Sequence, residues 1–306
     1  MNANNTVKQV TSNQRSIAFI LWALIAIYAA ARLLQVFPDR VPLEFTVAVH
    51  IFPPIIFALI HGAMRYRIRG ILIFFLICLV VGNVVENIGV INGFPFGRYY
   101  FTDVMGPKLF DVPIMLGLAY LGMGYLSWTL ACAILQCSRS PLRGSRLVIV
   151  PVIASFVMVA WDLAMDPIWS TVLHAWIWQH GGAYFGVPIS NFVGWYLTVY
   201  LIFQFFALYL KDQSTDANSL PPNHWRLAII FYAVSAAGNI LLMIPRAGLS
   251  VVTDPAGAQW KASEIALACV LVSIFIMGGF ALLAWKIISG RSAKTNFEQT
   301  QRELEV

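Results

Sequence analysis

Eight apolar runs, each about twenty residues long, follow one another between Ser16 and Ile288. Only helices and closed barrels satisfy all of their backbone hydrogen bonds inside lipid. Charged residues make up 11% of the chain, against roughly 25% in a soluble domain. We therefore predict an all-α, polytopic membrane helix bundle of about eight transmembrane spans. The predicted spans are Ser16–Phe37, Phe45–Met64, Gly70–Ile91, Val112–Gln136, Leu147–Leu173, Val187–Leu210, Trp225–Pro245 and Ala262–Ile288.

The segments outside the spans predict the domain organisation and the orientation. Residues 1–15 are polar and are expected to form a disordered tail, residues 16–288 the transmembrane bundle, and residues 289–306 a charged tail. An inward N-terminus places 14 Lys and Arg residues on the inner side and 6 on the outer side. Because inner loops are richer in Lys and Arg, we predict cytoplasmic termini and a multi-pass protein of the cytoplasmic membrane. The net charge of +6 therefore reflects topology and does not indicate nucleic-acid binding.

Two carboxylic acids lie inside the fifth apolar run. Asp162 and Asp166 are spaced i and i+4, so a helix places them on one face, about 6 Å apart. Ionisable residues at membrane depth are costly, usually face the bundle interior, and mark function. The structural alternative is that both acids pair with Arg98, Arg246 or a helix end.

The predicted topology collects further polar side chains at the same depth. Glu86 stands at the outer end of the third span, between Asn83 and Asn87. His50 falls in the outer half of the second span. Both are catalytic candidates, although Glu86 could simply bond loop amides and His50 could be a buried structural histidine. No C-x-x-C, H-x-x-H or H-E-x-x-H pattern occurs, which argues against a metal site.

Two outer loops are rich in aromatic residues, glycine and proline: Asn92–Asp111 and His174–Gly186. A carboxylic acid enclosed by apolar rings keeps its proton more readily than in water. Such an acid can protonate an alkene if aromatic faces stabilise the cation that forms. The candidate substrate-binding residues in and around these loops are Phe94, Phe96, Arg98, Tyr99, Trp161, Trp169, Tyr184, Phe185, Asn191 and Trp195.

Several sequence blocks between Asn83 and Trp195 together resemble the integral-membrane carotenoid biosynthesis family. This family includes carotenoid 1,2-hydratases of the γ-carotene/myxoxanthophyll type and bisanhydrobacterioruberin hydratases. The blocks are Gly93 to Tyr100 (GFPFGRYY), Gly106-Pro107, Val112-Pro113, Trp161-Asp162-Leu163, Asp166-Pro167, Tyr184 to Pro188 (YFGVP) and Asn191 to Trp195 (NFVGW).

The resemblance implies a hydratase that adds water across the terminal C1=C2 bond of an acyclic carotenoid end group. It implies a carotenoid lipid substrate, no metal or redox cofactor, and other carotenoid-pathway enzymes as partners. From the residues we expect Asp162 or Asp166 to be the acid and Glu86 to hold the water. Trp161, Trp169 and Phe96 would line the cation.

Three other interpretations remain open at this stage. A carotenoid cyclase or isomerase would use the same cation without adding water. A proton-coupled transporter would use Asp162, Asp166 and Glu86 as a proton relay. A structural or assembly protein would have no need for several carboxylates at one depth.

Overall fold

A computed structural model describes residues 3–37, 40–137, 142–213, 220–243 and 250–290 of the chain. Long helices dominate and form one bundle, as predicted. The helices are α1 (Ala3–Leu34), α2 (Leu43–Asn92), α3 (Ile114–Ile134), α4 (Arg146–Pro167), α5 (Ile189–Lys211), α6 (Pro222–Ile240) and α7 (Ala262–Val272). Each of α4 and α7 continues into a π-helical segment, Ile168–Val172 and Ser273–Met277 respectively.

Six helices of the described chain are long and apolar enough to cross a membrane. They are Arg15–Leu34, Phe45–Asn92, Ile114–Ile134, Arg146–Val172, Ile189–Lys211 and Ala262–Gly290. The predicted seventh span corresponds to α6, which carries His224, Ser235 and Asn239 and is not among the six. The protein is therefore a membrane protein, while its orientation and the identity of the membrane remain predictions.

The longest helix, α2, is broken in the middle, so the second and third predicted spans are its two arms. Arg67 has φ 58° and ψ 168°, which no helix contains. A Cβ on Gly62 would lie 2.5 Å from Ile71 Cδ1, whereas nine residues of straight helix separate two positions by about 13 Å. The two arms therefore fold back on each other at the arginine-rich segment that was expected to separate them.

The N-terminal segment differs from the expectation. Helix α1 begins at Ala3, so most of the segment expected to be a disordered tail continues the first helix. The polar composition of residues 1–15 lacks an apolar stripe, which is why it did not indicate a helix. The charged tail beyond Gly290 lies outside the described residues.

Helix α3 is the centre of the bundle and packs against α2, α4 and α6. Nearly every residue from Leu116 to Ala133 is buried. A Cβ on Gly122 would lie 2.9 Å from Pro54 Cβ and 3.2 Å from the Ile55 backbone nitrogen. Glycine therefore lets α2 and α3 approach closely, as small residues do in membrane bundles.

Short strands join the loops at one end of the bundle. Strand β1 (Tyr99–Phe101) pairs antiparallel with β4 (Trp176–Trp178), in a register that places Tyr99 opposite Trp178. This pairing brings the two aromatic loops together above the ends of α2 and α4. Two further antiparallel pairs are β2 (Lys108–Leu109) with β3 (Val112–Pro113), and β5 (Val251–Thr253) with β6 (Gln259–Lys261).

The close approach at Gly122 predicts that alanine substitution affects stability very differently at two glycines of α3. We expect Gly122→Ala to lower the free energy of unfolding by about 1–3 kcal/mol, because the methyl group overpacks the contact with α2. Gly124→Ala is the control, since its Cβ would meet Phe203 at an ordinary 3.7 Å and alanine favours the helix. Thermal unfolding of the detergent-solubilised protein measures both. Equal melting temperatures for the two variants would contradict the packing described.

Candidate active site

One amide bridges the two aspartates of α4. Asp162 and Asp166 are both fully buried. Asn191, in the first turn of α5, places Nδ2 2.5 Å from Asp166 Oδ2 and 3.3 Å from Asp162 Oδ2. The i, i+4 spacing therefore puts both carboxyl groups on one face, as expected, and α5 presents a single donor to the pair.

The two carboxyl groups differ in their other partners. Asp166 Oδ1 accepts a hydrogen bond of 3.0 Å from the Trp176 indole. The Trp178 indole also lies beside Asp166, but its Nε1 does not reach hydrogen-bond geometry. Asp162 Oδ1 is buried and has no hydrogen-bond partner. Asp162 is thus the less completely bonded member of the pair.

Glu86, on the second arm of α2, is the third buried acid of this cluster. Tyr99 donates to its Oε2 at 2.5 Å, and Tyr120 of α3 donates to its Oε1 at 2.6 Å. Burial and the neighbouring carboxylate raise the pKa of Tyr99 well above its usual value, so the phenol keeps its proton and donates. Glu86 is close enough to Asp166 and Asp162 for their charges to interact.

The three acids have no basic partner within the described residues. Arg98, an expected partner of the aspartates, accepts a backbone hydrogen bond from Gln179 through its carbonyl and forms no ion pair with them. Arg246 lies outside the described residues. Because an unpaired buried charge is costly, donors from tyrosine, tryptophan and asparagine have to stabilise whichever of these groups is ionised.

A cavity of about 560 Å³ adjoins the acid cluster. Most of its wall is apolar, with a polar region formed by α1, α2 and α6. The lining residues are Tyr28, Arg32, Gln35, Val41, Thr46, His50, Ile51, Pro54, Met105, Leu116, Ala119, Met123, Trp161, Ala164, Met165, Ile168, Trp169, Val172, Leu173, Trp176, Asn239, Ala262 and Ala266.

The three acids do not line the cavity but lie behind the residues that do. Helix α4 turns one face to the cavity, with Trp161 and Met165 at its centre. Asp162 and Asp166 follow those positions by one residue, about 100° further round the helix. Trp176 connects the two regions, because its ring lines the cavity while its N–H binds Asp166. We had expected the acids and the aromatic residues to share one chamber; the packing separates them by one layer of side chains.

The helix changes its geometry next to the acids. The segment Ile168–Val172 is π-helical, and Ile168, Trp169 and Val172 line the cavity. Such π-bulges occur frequently at functional sites. Here the wider turn follows Pro167 directly and contributes Trp169 to the cavity wall.

Several predicted substrate-binding residues hold the loops in place. Phe96 is buried between α2 and α5: a Cβ on Gly89 would lie 2.6 Å from its ring, and one on Gly194 would lie 2.7 Å away. Phe94, two residues earlier, is exposed. The Arg98 side chain packs at Gly93. None of these three side chains lines the cavity.

Trp195, Tyr184 and Phe185 do not line the cavity. Trp195 stacks on Tyr120, with ring centroids 4.7 Å apart, and meets Trp161 edge-on at 6.4 Å. Tyr184 donates to the Leu163 carbonyl at 3.2 Å. Phe185, at φ 52°, packs against Trp260. Of the ten predicted substrate-binding residues, Trp161 and Trp169 line the cavity, and so does the catalytic candidate His50.

Three residues of the site were not among the predicted site residues. Tyr120 lies in a helix that is apolar on all sides, so no periodic pattern distinguishes it. Trp176 is one of five tryptophans between positions 161 and 195, so the sequence alone does not single it out. Arg32 was counted as an outer-side charge, although its position inside the first apolar run could have indicated a functional site. Within the described chain, no group of three or more His, Cys, Asp or Glu residues is arranged to hold a metal ion.

A family profile described as "Carotenoid biosynthesis protein" matches residues 45–253, which is more than half of the chain. The chain belongs to this family. The match includes all three buried acids, together with Tyr99, Tyr120, Trp176 and Asn191. No curated protein and no solved structure matches the chain significantly. The family supports an enzyme of carotenoid biosynthesis that works in a membrane.

The hydrogen bonds to Glu86 predict energetic coupling with its tyrosines. We expect Tyr120→Phe to destabilise the protein by about 1–3 kcal/mol, because it leaves a buried carboxylate oxygen unpaired. In a Glu86→Leu background the same change should cost clearly less. Thermal unfolding of the four proteins measures the coupling. Tyr200→Phe is the control, because its partly buried hydroxyl bonds Gln204 within one helix. Strictly additive effects would contradict the bonding described.

Proposed function

We propose that the protein is a carotenoid hydratase, which adds water across the terminal C1=C2 bond of an acyclic end group to give a tertiary alcohol. The observation that carries this proposal is a cluster of three buried acids, without a basic partner in the described chain, behind a tryptophan-lined cavity. Membership of a carotenoid biosynthesis family supports the substrate class. No cofactor takes part in the proposed reaction.

Asp162 is the proton donor in this proposal. Its Oδ1 is buried and has no hydrogen-bond partner, and its neighbour Asp166 already takes two donors through its carboxyl oxygens. Two carboxyl groups that share one donor do not both ionise cheaply. One proton therefore resides on the pair, and the less completely bonded oxygen is its natural site.

The reaction balances without a further reagent. The π electrons of C1=C2 form a bond from C2 to the Asp162 proton, which leaves a tertiary cation at C1. A lone pair of water then forms the C1–O bond, and one water proton passes to a base. The faces of Trp161 and Trp169 stabilise the cation by about 0.5–2 kcal/mol each. Carboxylates behind the wall contribute further electrostatic stabilisation, which is fixed in advance.

The proton has to cross one layer of side chains, because the aspartates stand behind the wall. Met165 lines the cavity and follows Asp162 by three residues on the helix surface. Its unbranched side chain is easily displaced. A small movement of Met165, or of Trp176, brings the alkene to the acid. We place this chemistry in the cytoplasmic membrane, where other pathway enzymes supply the substrate and take up the product.

Replacing the proton donor tests the proposal directly. In a host that makes lycopene or γ-carotene, the wild-type protein should yield a pigment heavier by one water, measured by mass spectrometry. Asp162→Asn should reduce this product by about 10²–10⁴-fold, the contribution typical of a positioned acid. Asp103→Asn, at an exposed loop carboxylate, is the matched control and should keep full activity.

The outcomes separate the alternatives. A changed pigment of unchanged mass would indicate a cyclase or isomerase, and unchanged pigment on every acyclic substrate would refute pigment chemistry. Full activity of Asp162→Asn, with the protein present in the membrane, would refute the acid assignment alone.

A further inference from the structure

We propose that Arg32 and His50 hold the water molecule that is added to the alkene, a role we had first expected for Glu86. This inference rests on the proposed hydratase function. Both carboxyl oxygens of Glu86 already accept tyrosine hydroxyls, and Glu86 does not line the cavity. Arg32 and His50 line it on the side formed by α1 and α2.

Arg32 places a guanidinium in the polar region of a mostly apolar cavity. Its Nη2 donates to Asn239 Oδ1 and to the Ser235 carbonyl. Its Nε packs against Gly238 without a hydrogen-bond partner. No carboxylate of the described chain pairs with it. Because Nε is buried against Gly238 and Nη2 is already bonded, we assign Nη1 to the ligand. Asn239 is held in turn by Ser273 of the second π-helical segment.

His50 supplies the matching acceptor. Its Nδ1 lies 2.6 Å from the Thr46 carbonyl oxygen. Because a carbonyl oxygen only accepts, Nδ1 carries the hydrogen, and the neutral ring has its lone pair on Nε2. That nitrogen is buried and has no hydrogen-bond partner. A buried acceptor of this kind needs a donor, and an ordered water is a common one.

One donor and one acceptor in the wall of the same cavity are the complement of an O–H group. A water molecule accepts from Arg32 and donates to His50, whereas an anion offers no hydrogen to His50 and a hydrocarbon offers neither. The tertiary alcohol of the product fits in the same way. The cavity is large enough to hold an end group and a water together, since a water takes about 30 Å³.

The arrangement also supplies a base, His50, for the proton that the water releases. As the water oxygen bonds to C1, its proton passes to His50 Nε2, while Asp162 has already given its proton to C2. Solvent returns the proton from His50 to Asp162 after turnover. The positive charge of Arg32 repels the carbocation toward the tryptophans and acids of α4, so the cation and the guanidinium keep to opposite sides of the cavity.

The test separates protonation from water capture. Membranes containing the full chain are given lycopene in D₂O buffer, and two products are measured: hydrated pigment, and deuterium in the unhydrated pigment. We expect His50→Phe and Arg32→Met to lower hydration by about a hundredfold while deuterium exchange continues, because the cation forms and then loses a proton. Asp162→Asn should abolish both. The controls Phe52→Leu and Leu33→Met, at exposed positions of the same helices, should match the wild type.

Each result supports or overturns the inference. If His50→Phe and Arg32→Met hydrate at the wild-type rate, the water site is wrong and the hydratase function stands. If His50→Phe loses exchange together with hydration, His50 acts before capture and the assignment is wrong. If the wild type neither hydrates nor exchanges, the proposed function fails and the water site with it. If His50→Phe does not accumulate, His50→Gln replaces it: full hydration by a folded His50→Gln, which lacks a base, overturns the proposal.

Discussion

Carboxyl groups withdrawn from water without a basic partner require hydrogen-bond donors from their surroundings. In this protein the donors come from four separate elements: Tyr99 from β1, Tyr120 from α3, Trp176 from β4 and Asn191 from α5. The acids therefore tie both aromatic loops to the bundle. The β1–β4 pairing, the buried Phe96 and the start of α5 all serve to deliver these donors at the right positions.

In the proposed reaction, the cavity and the acid cluster have different parts. Trp161 and Trp169 give the cavity an apolar face toward α4, while Arg32 and His50 give it a polar region on the other side. None of the three acids lines the cavity. In the proposed reaction, a hydrocarbon occupies the apolar part and the acids act on it across one layer of side chains.

The sequence predicted the helices well, because an apolar run of membrane length has one stable backbone solution. It predicted the shared face of Asp162 and Asp166, because their spacing alone determines it. It did not predict which face of α4 meets the cavity, since that depends on how α1 and α7 pack. Nor could it tell the exposed Phe94 from the buried Phe96, two residues apart in one loop, because no periodicity governs a loop. The role of Tyr120 could not be predicted, because its helix has no polar face that would distinguish this residue.

Trp176 belongs both to the cavity wall and to the acid cluster, and this has a thermodynamic consequence. Its ring forms part of the cavity wall, and its N–H is one of the donors to Asp166. A ligand that displaces the ring removes that donor, and binding of such a ligand is then linked to protonation of Asp166. Linkage is reciprocal. The factor by which the ligand changes the affinity of Asp166 for a proton is also the factor by which the proton changes the affinity for the ligand. For such a ligand, Asp166 has one hydrogen-bond donor fewer when the cavity is occupied than when it is empty.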